Sequence, residues 1–302
     1  MKEYCYGLLH GVDEVNRLVA IKTKRKVAYF YLPRGMFADF MAYFRPGIYV
    51  FLDVQSQSRI YHGYRVRNVL NIDKVMEPYR QKPKLFYDIF LIKAGIRTIV
   101  NTKKPRLFLD FEMSMPPYRN YQTFVSEIIQ IGLVLTDETG EVIERYSTFI
   151  KPKLFPQISE RTAKFLSISQ ADIDQGIPYK EVHDHLLKIQ RAFRPMVFTW
   201  GKNDELELTK MNRLYDLSDF TKKLQIIDLL RLHKTYFGLK NDLGLFNAYK
   251  VYKDINISKQ KHDALQDAVV TMDVFAAFKD VTNDRLKVNF AKKEQEEDVK
   301  ND

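Results

Sequence analysis

Cysteine is nearly absent: Cys5 is the single one in 302 residues, which excludes an internal disulfide and a cysteine-rich zinc site. Glycine and proline are also scarce, at 12 and 11 residues, so collagen-like and low-complexity architectures are excluded. No stretch approaches 18 uncharged apolar residues, which argues against a transmembrane helix. Residues 1–11 (MKEYCYGLLHG) lack a sustained apolar stretch ahead of a small-residue cleavage site, so a secretory leader is not expected and the expected location is the cytoplasm. What is present is the composition of a folded protein, 45% hydrophobic and 13% aromatic, long enough for two or three domains.

The formal net charge of +10 is unevenly placed. Residues 1–100 hold 17 Lys and Arg against 8 Asp and Glu, whereas the other 202 residues hold 31 against 30. A basic first third attracts nucleic acid through counterion release, or an anionic membrane surface, or is a solvated face without a partner. Composition does not choose among these.

Residues 1–77 read as short strands. Tyr4–Leu9, Arg17–Thr23 and Val27–Leu32 are rich in β-branched and aromatic residues, with Lys24, Arg25 and Lys26 forming a basic turn before the third. Phe37, Phe40, Met41 and Phe44 recur at the spacing of a short amphipathic helix, which Pro46 and Gly47 end. Strands at 48–54 and 60–72 complete an order of three strands, a helix and two strands, which resembles the OB-fold, a small β-barrel. Alternation puts Tyr29 and Tyr31 on the face opposite Phe30, so they are candidate stacking residues for bases, with Lys24 and Arg25 as candidate phosphate contacts. Cover of the core or of a neighbouring domain is the competing reading for both tyrosines. Residues 78–105, with Leu85, Ile89, Ile92 and Ile96 at helical spacing, are expected to form an amphipathic connector helix.

Residues 106–284 alternate differently. Strands at 106–112, 125–136 and 141–150 are followed by helices near 160–168 and 178–193, a buried strand at 196–200, a helix near 203–213, and a short strand at 225–228. Helices near 229–237, 241–250 and 263–279 follow, giving a mixed α/β sheet with flanking helices. Residues 285–302, of which ten are charged, are expected to form a solvated tail.

Asp110 and Glu112, two apart on a strand, project from one face amid Leu107, Phe108, Leu109 and Phe111. Two carboxylates held together there require a cation or a proton, and oxygen donors favour Mg²⁺ or Mn²⁺ over zinc. Such a pair alone is equally compatible with a solvated strand end. Asp204 follows the 196–200 strand at the edge where open α/β sheets bind ligands, though an N-cap there also suits Asp. His262 and Asp267 are five residues apart and would face different ways on one helix, so both reach one site only if His262 lies in the loop before it. Asp263 suits the N-cap of that helix, and Asp228 and Trp200 suit structural roles. His183 and His185 diverge by about 200° around a helix and do not share a ligand, while His10, His62 and His233 lack a partner at ligand spacing.

Taken together, Asp-Phe-Glu at 110–112, Asp204, and His262 with Asp267 resemble the DEDDh (DnaQ-like) 3′-5′ exonuclease family of the ribonuclease-H-like fold, over about residues 105–280. Ser114 stands where that family has a small hydroxyl residue, and Thr199-Trp200-Gly201 is similar to the branch that trims structured and small RNAs. The resemblance implies two divalent ions, one on Asp110, Glu112 and Asp267 and one on Asp110 with Asp204, His262 as general base, and the segment Met113–Met115, with Ser114 at its centre, against the terminal nucleotide. It also implies release of nucleoside monophosphates from the 3′ end of a single-stranded nucleic acid. RNA and DNA are not distinguished, because contacts to the 2′-OH are not legible in sequence. The alternatives are a non-catalytic nucleic-acid-binding or scaffold protein with an idle nuclease fold, and an endonuclease of the same fold, which gives no reason for the spacing of His262 and Asp267.

Overall fold

In the computed structural model the described residues are 2–23, 26–79, 82–119, 123–239, 241–253, 262–288 and 290. The chain forms two compact units, Met1–Gly95 and Ile96–Asp302.

The first unit contains β1 (Lys2–Asp13), β2 (Leu18–Lys22), β3 (Val27–Tyr31), α1 (Arg34–Phe40), β4 (Tyr49–Tyr61), β5 (Tyr64–Glu77) and β6 (Lys84–Asp88). Its sheet runs β3-β2-β1-β4-β5-β6, and β3 also pairs with β5 in parallel, closing five strands into a ring. Alternation along β3 buries Phe30 inside, with Ile21, Leu52, Val54, Val69 and Ile72 around it, and leaves Tyr29 and Tyr31 outside. Burial of each such side chain contributes about 1.5–3 kcal/mol.

Two expectations are corrected here. Residues 60–72 are not one strand: His62 and Gly63, both at positive φ, make a tight hairpin between β4 and β5. Residues 84–88 do not open a helix. They pair with β5 as β6, leaving Leu85 exposed, and α2 (Ile89–Val100) begins only where the Asp88 carboxylate accepts the Phe90 and Leu91 N–H groups. A five-residue strand carries too short a pattern to be separated from the helix that follows it.

The second unit is built on β7 (Arg106–Met113), β8 (Ile128–Thr136), β9 (Val142–Lys151), β10 (Ile177–Pro178), β11 (Met196–Thr199) and β12 (Gln225–Asp228), in the order β10-β9-β8-β7-β11-β12. β7, β8 and β9 are antiparallel, while β11 and β12 run parallel to β7. The helices are α3 (Glu160–Leu166), α4 (Gln170–Asp174), α5 (Tyr179–Phe193), α6 (Asn203–Leu214), α7 (Leu229–Phe237), α8 (Leu245–Lys253) and α9 (Ala264–Thr282). Leu107, Leu109 and Phe111 pack with Val182, Leu186 and Ile189 of α5 and Leu208 and Met211 of α6. On the opposite face of the sheet, the Phe108 ring meets Phe198 and, from α9, Phe275, with centroids 5.6 and 5.4 Å away. Asp110 and Glu112 share the parity of Phe108, so the sheet turns both carboxylates toward the α9 side.

The charged C-terminal stretch starts exposed, at Arg285 and Lys287, but its described part is not solvated throughout. Phe290 is buried, with its ring against His233, Phe237 and Tyr252, while residues 291–302 lie outside the described residues. One phenylalanine among charges carries no periodicity, which is why its packing was not legible.

Candidate active site

The site is organised by β8. All nine of its residues are buried, yet an otherwise apolar run is interrupted by Gln130 and Gly132. Those two stand opposite Glu112 and Asp110 in the β7 register. A Cβ on Gly132 would sit 2.0 Å from the Ala264 carbonyl carbon, so the start of α9 crosses the strand pair in contact with backbone. Gln130 fixes that crossing: its Nε2 donates to Asp263 Oδ2 at 3.0 Å and its Oε1 accepts from Ala264 N at 3.4 Å. Asp263 caps α9 by accepting the Gln266 N–H at 3.0 Å. Asp267, one turn on, is thereby held buried beside Glu112.

Asp204 arrives from the other side. β11 pairs with β7 as far as Phe198, Gly201 turns the chain at a φ of 105°, and Asp204 sits in the first turn of α6. Its Oδ1 accepts the Phe111 N–H at 3.1 Å, tying it to the backbone between Asp110 and Glu112. His262 precedes α9 in non-helical chain and stacks on Phe165 of α3, with ring centroids 4.3 Å apart. One ligand atom each from Glu112, His262 and Asp267 lies within 4.8 Å of the others.

Four acids in one place shift one another. Burial pushes Glu112 up to about 8, with Asp267 and Asp204 adding repulsion. Burial also raises Asp204 to about 7, against the stabilising Phe111 N–H, and Asp267 to about 7 with Asp263 beside it. Asp110 is pushed well above the carboxylate range by burial and then by Asp204, Asp267 and Glu112. Burial lowers His262. Asp267 Oδ1 is buried with no hydrogen-bond partner among the described residues. An orphaned carboxylate oxygen within a set of crowded oxygen donors fits a hard divalent cation, which would relieve both the repulsion and the missing contact.

Met113, Ser114 and Met115 continue from β7 beside these acids and are pinned in place. Ser114 Oγ accepts the Glu127 N–H at 3.0 Å, and Met115 N donates to Thr162 Oγ1 at 2.9 Å. Buried Glu127 in turn accepts from Tyr215 Oη at 2.7 Å and from Lys153 N and Leu154 N at 2.8 Å. The structure thus brings Asp110, Glu112, Asp204, His262 and Asp267 to one edge. Tyr29 and Tyr31 belong to the first unit, where Tyr29 lies against Tyr64, and Tyr31 lies against Tyr61 and under the guanidinium groups of Arg17 and Arg59. Lys24 and Arg25 lie outside the described residues.

Sequence reasoning passed over Gln130, Gly132 and Phe165. The signal for the first two was present as the breaks in an apolar strand, while Phe165 is an exposed aromatic whose stacking partner is about a hundred residues away. The remaining polar groups have structural partners. Asp228 caps α7, Trp200 Nε1 donates to the Leu243 carbonyl, His183 bonds the Ser218 carbonyl and His185 faces Glu144. His233 is enclosed by aromatic rings that hold it neutral, with its pKa driven down to about 3 by burial. No helix among the described residues is long and apolar enough to cross a membrane.

A family model described as exonuclease, of the RNase T type, matches residues 107–275, more than half of the chain. The chain is 31% identical over 175 residues to a probable 3′-5′ exonuclease, KapD, of Bacillus subtilis (strain 168), covering 58% of this chain and 84% of that protein. The nuclease domain of 3′hExo, a DEDDh family member whose structure was solved with rAMP bound, is similar in fold at 17% identity and a TM-score of 0.52. That likeness covers 62% of this chain and 96% of the nuclease domain.

Proposed function

The chain belongs to the exonuclease family, as a 3′-5′ exonuclease of the DEDDh type, and on that premise we propose that it degrades single-stranded nucleic acid by a two-metal mechanism in which His262 is the general base. The observation that carries this reading is the meeting of four acids of raised pKa with an imidazole beside the unpartnered Oδ1 of Asp267.

Asp110, Glu112 and Asp267 would hold one ion, and Asp110 with Asp204 a second, Mg²⁺ or Mn²⁺ by the hardness of the donors. Such ions would neutralise charge building on the phosphate and acidify the attacking water. Asp204 is held by the Phe111 N–H, which fixes its carboxylate against the backbone between Asp110 and Glu112. His262, with its pKa below the ordinary histidine value, is neutral near pH 7 and free to accept the water's proton on a ring nitrogen. Phe165 holds that ring by stacking. The pinned backbone at Met113–Met115 would line the terminal nucleotide and position its phosphodiester.

The first unit, basic and OB-like in strand order and closure, would hold the strand, with Tyr29 and Tyr31 as stacking residues and Lys24 and Arg25 as phosphate contacts. Matched linear and circular single strands and a blunt duplex test the reading. In Mg²⁺, 5′-labelled linear strands should shorten stepwise while circles and duplex survive. Nicked circles would indicate an endonuclease, and intact substrates throughout would leave only binding.

A further inference from the structure

At the start of β7, four residues before Asp110 and so about 13 Å from it along the strand, lies a second charged feature. A cavity of about 570 Å³ is lined by Lys103, Arg106, Lys279 and Arg285, with Glu138 as its one carboxylate and Asn101, Thr139 and Asn283 among its neutral groups. Arg106 is only 3% exposed, yet its guanidinium donates to two backbone carbonyls, those of Glu138 and Thr102, and its plane lies over the Phe275 ring. Among the described residues no carboxylate forms an ion pair with Arg106 or with Lys279. The nearby Asp137 is engaged by the Thr139, Gly140 and Glu141 N–H groups of its own turn, and Asp280 pairs with Arg285 at 2.7 Å.

Buried cations are ordinarily paired, because desolvating an unpaired charge is costly. Here burial, with the positive charges of Arg106 and Arg285 beside it, depresses the Lys279 pKa against the pull of Asp280, while Asp137 attracts Arg106. The C-terminal dipole of α9 offsets only about half of one unit charge. Arg106 alone of these cations is buried, while Lys279 is half-buried and Lys103 and Arg285 are exposed, so the group presents positive charge to solvent at a concave surface where an anion would be attracted. The cavity is too large for a lone ion and suits a ligand of nucleotide size.

We propose that this cavity, at the end of the sheet away from the acidic cluster, is a binding site for a phosphate group carried by a nucleotide or a nucleic-acid strand. Lys103 and Lys279 act as point charges and Arg106 as the fixed floor, while Asn101 and Asn283, bonded to each other, form a neutral wall. The site is independent of the catalytic reading, since none of its residues belongs to that cluster.

Calorimetric titration in chelator and low salt tests it with three probes: inorganic phosphate, adenosine 5′-monophosphate and a short oligonucleotide with a blocked 3′ end. Saturable binding that Lys279→Glu weakens by about tenfold or more is expected. Binding of phosphate and the mononucleotide identifies a free phosphate ester as the ligand, and binding of the oligonucleotide alone identifies the strand backbone. Exposed Lys103 offers a second variant, Lys103→Glu, which removes a surface charge without disturbing the core and should also weaken binding. Absence of saturable binding to the wild-type chain, or affinities unchanged in both variants, overturns the proposal.

Discussion

The backbone of Ala264 rests directly on Gly132, so closely that a Cβ on the glycine would lie 2.0 Å from its carbonyl carbon. Gly132 stands opposite Asp110 on the paired strand, and Ala264 begins the helix that carries Asp267. This contact, with the Gln130 bonds to Asp263 and Ala264, sets how far the acid of α9 stands from the acids of β7, a matter of backbone approach and its support and not of any catalytic side chain.

Gly132→Ala should therefore act on both stability and site. Overpacking against backbone has no soft neighbour to yield, so a loss of about 3 kcal/mol or more is expected in urea unfolding. A variant of wild-type stability that binds Mn²⁺ normally would contradict this role.

Stability of the metal-free protein should fall as pH rises. Glu112, Asp204 and Asp267 have folded pKa values of about 8, 7 and 7, above their ordinary values near 4. The folded state thus binds more protons than the unfolded one across that interval, and folding stability drops from about pH 4 to pH 8. In chelator the Tm at pH 8 should lie several degrees below that at pH 5.5, and Mn²⁺ should raise it more at pH 8. A flat profile would show that the acids do not crowd one another.

His262→Ala should lower kcat by about 10²–10⁴-fold, the range of a lost general base. Mn²⁺ affinity, measured by calorimetry, should change far less. Because His262 lies within ligand distance of Glu112 and Asp267, a comparable collapse of Mn²⁺ binding would reassign it as a metal ligand.

Glu127→Gln tests the support beneath Met113–Met115. The carboxylate accepts from Tyr215, Lys153 and Leu154, and an amide would turn an NH₂ toward at least one of these donors. A loss of about 1–3 kcal/mol is expected by urea unfolding. Unchanged stability would mean that these buried bonds are not formed.

Tyr31→Ala should weaken single-strand binding about five- to a hundredfold, the equivalent of one lost base stack. Fluorescence anisotropy with a labelled oligonucleotide in chelator reads this without turnover. An unchanged affinity would exclude this face of the first unit from strand binding.

Much of this arrangement was legible in the sequence. The apolar surroundings of Asp110 and Glu112 announced a strand, the angular mismatch of His262 with Asp267 required a loop position for the two to share a site, and the helix expected over 229–237 matches α7. What escaped has identifiable physical causes. The β4–β5 hairpin rests on two positive-φ residues, His62 and Gly63, within an otherwise continuous strand pattern. Gln130 and Phe165 act through partners 133 and 97 residues away, Asp263 and His262, and such pairings exist only once the sheet has assembled. Phe290 packs against His233, Phe237 and Tyr252 from a stretch without apolar periodicity.

Titration of Mn²⁺ into the metal-free chain by calorimetry, beside Glu112→Gln and Asp267→Asn, bears most directly on the meeting of the four acids. Two ions per chain are expected for the wild type, with at least one lost or weakened by an order of magnitude in each variant. Wild-type protein that takes up no Mn²⁺ saturably, or variants that bind it as the wild type does, would contradict a shared metal site.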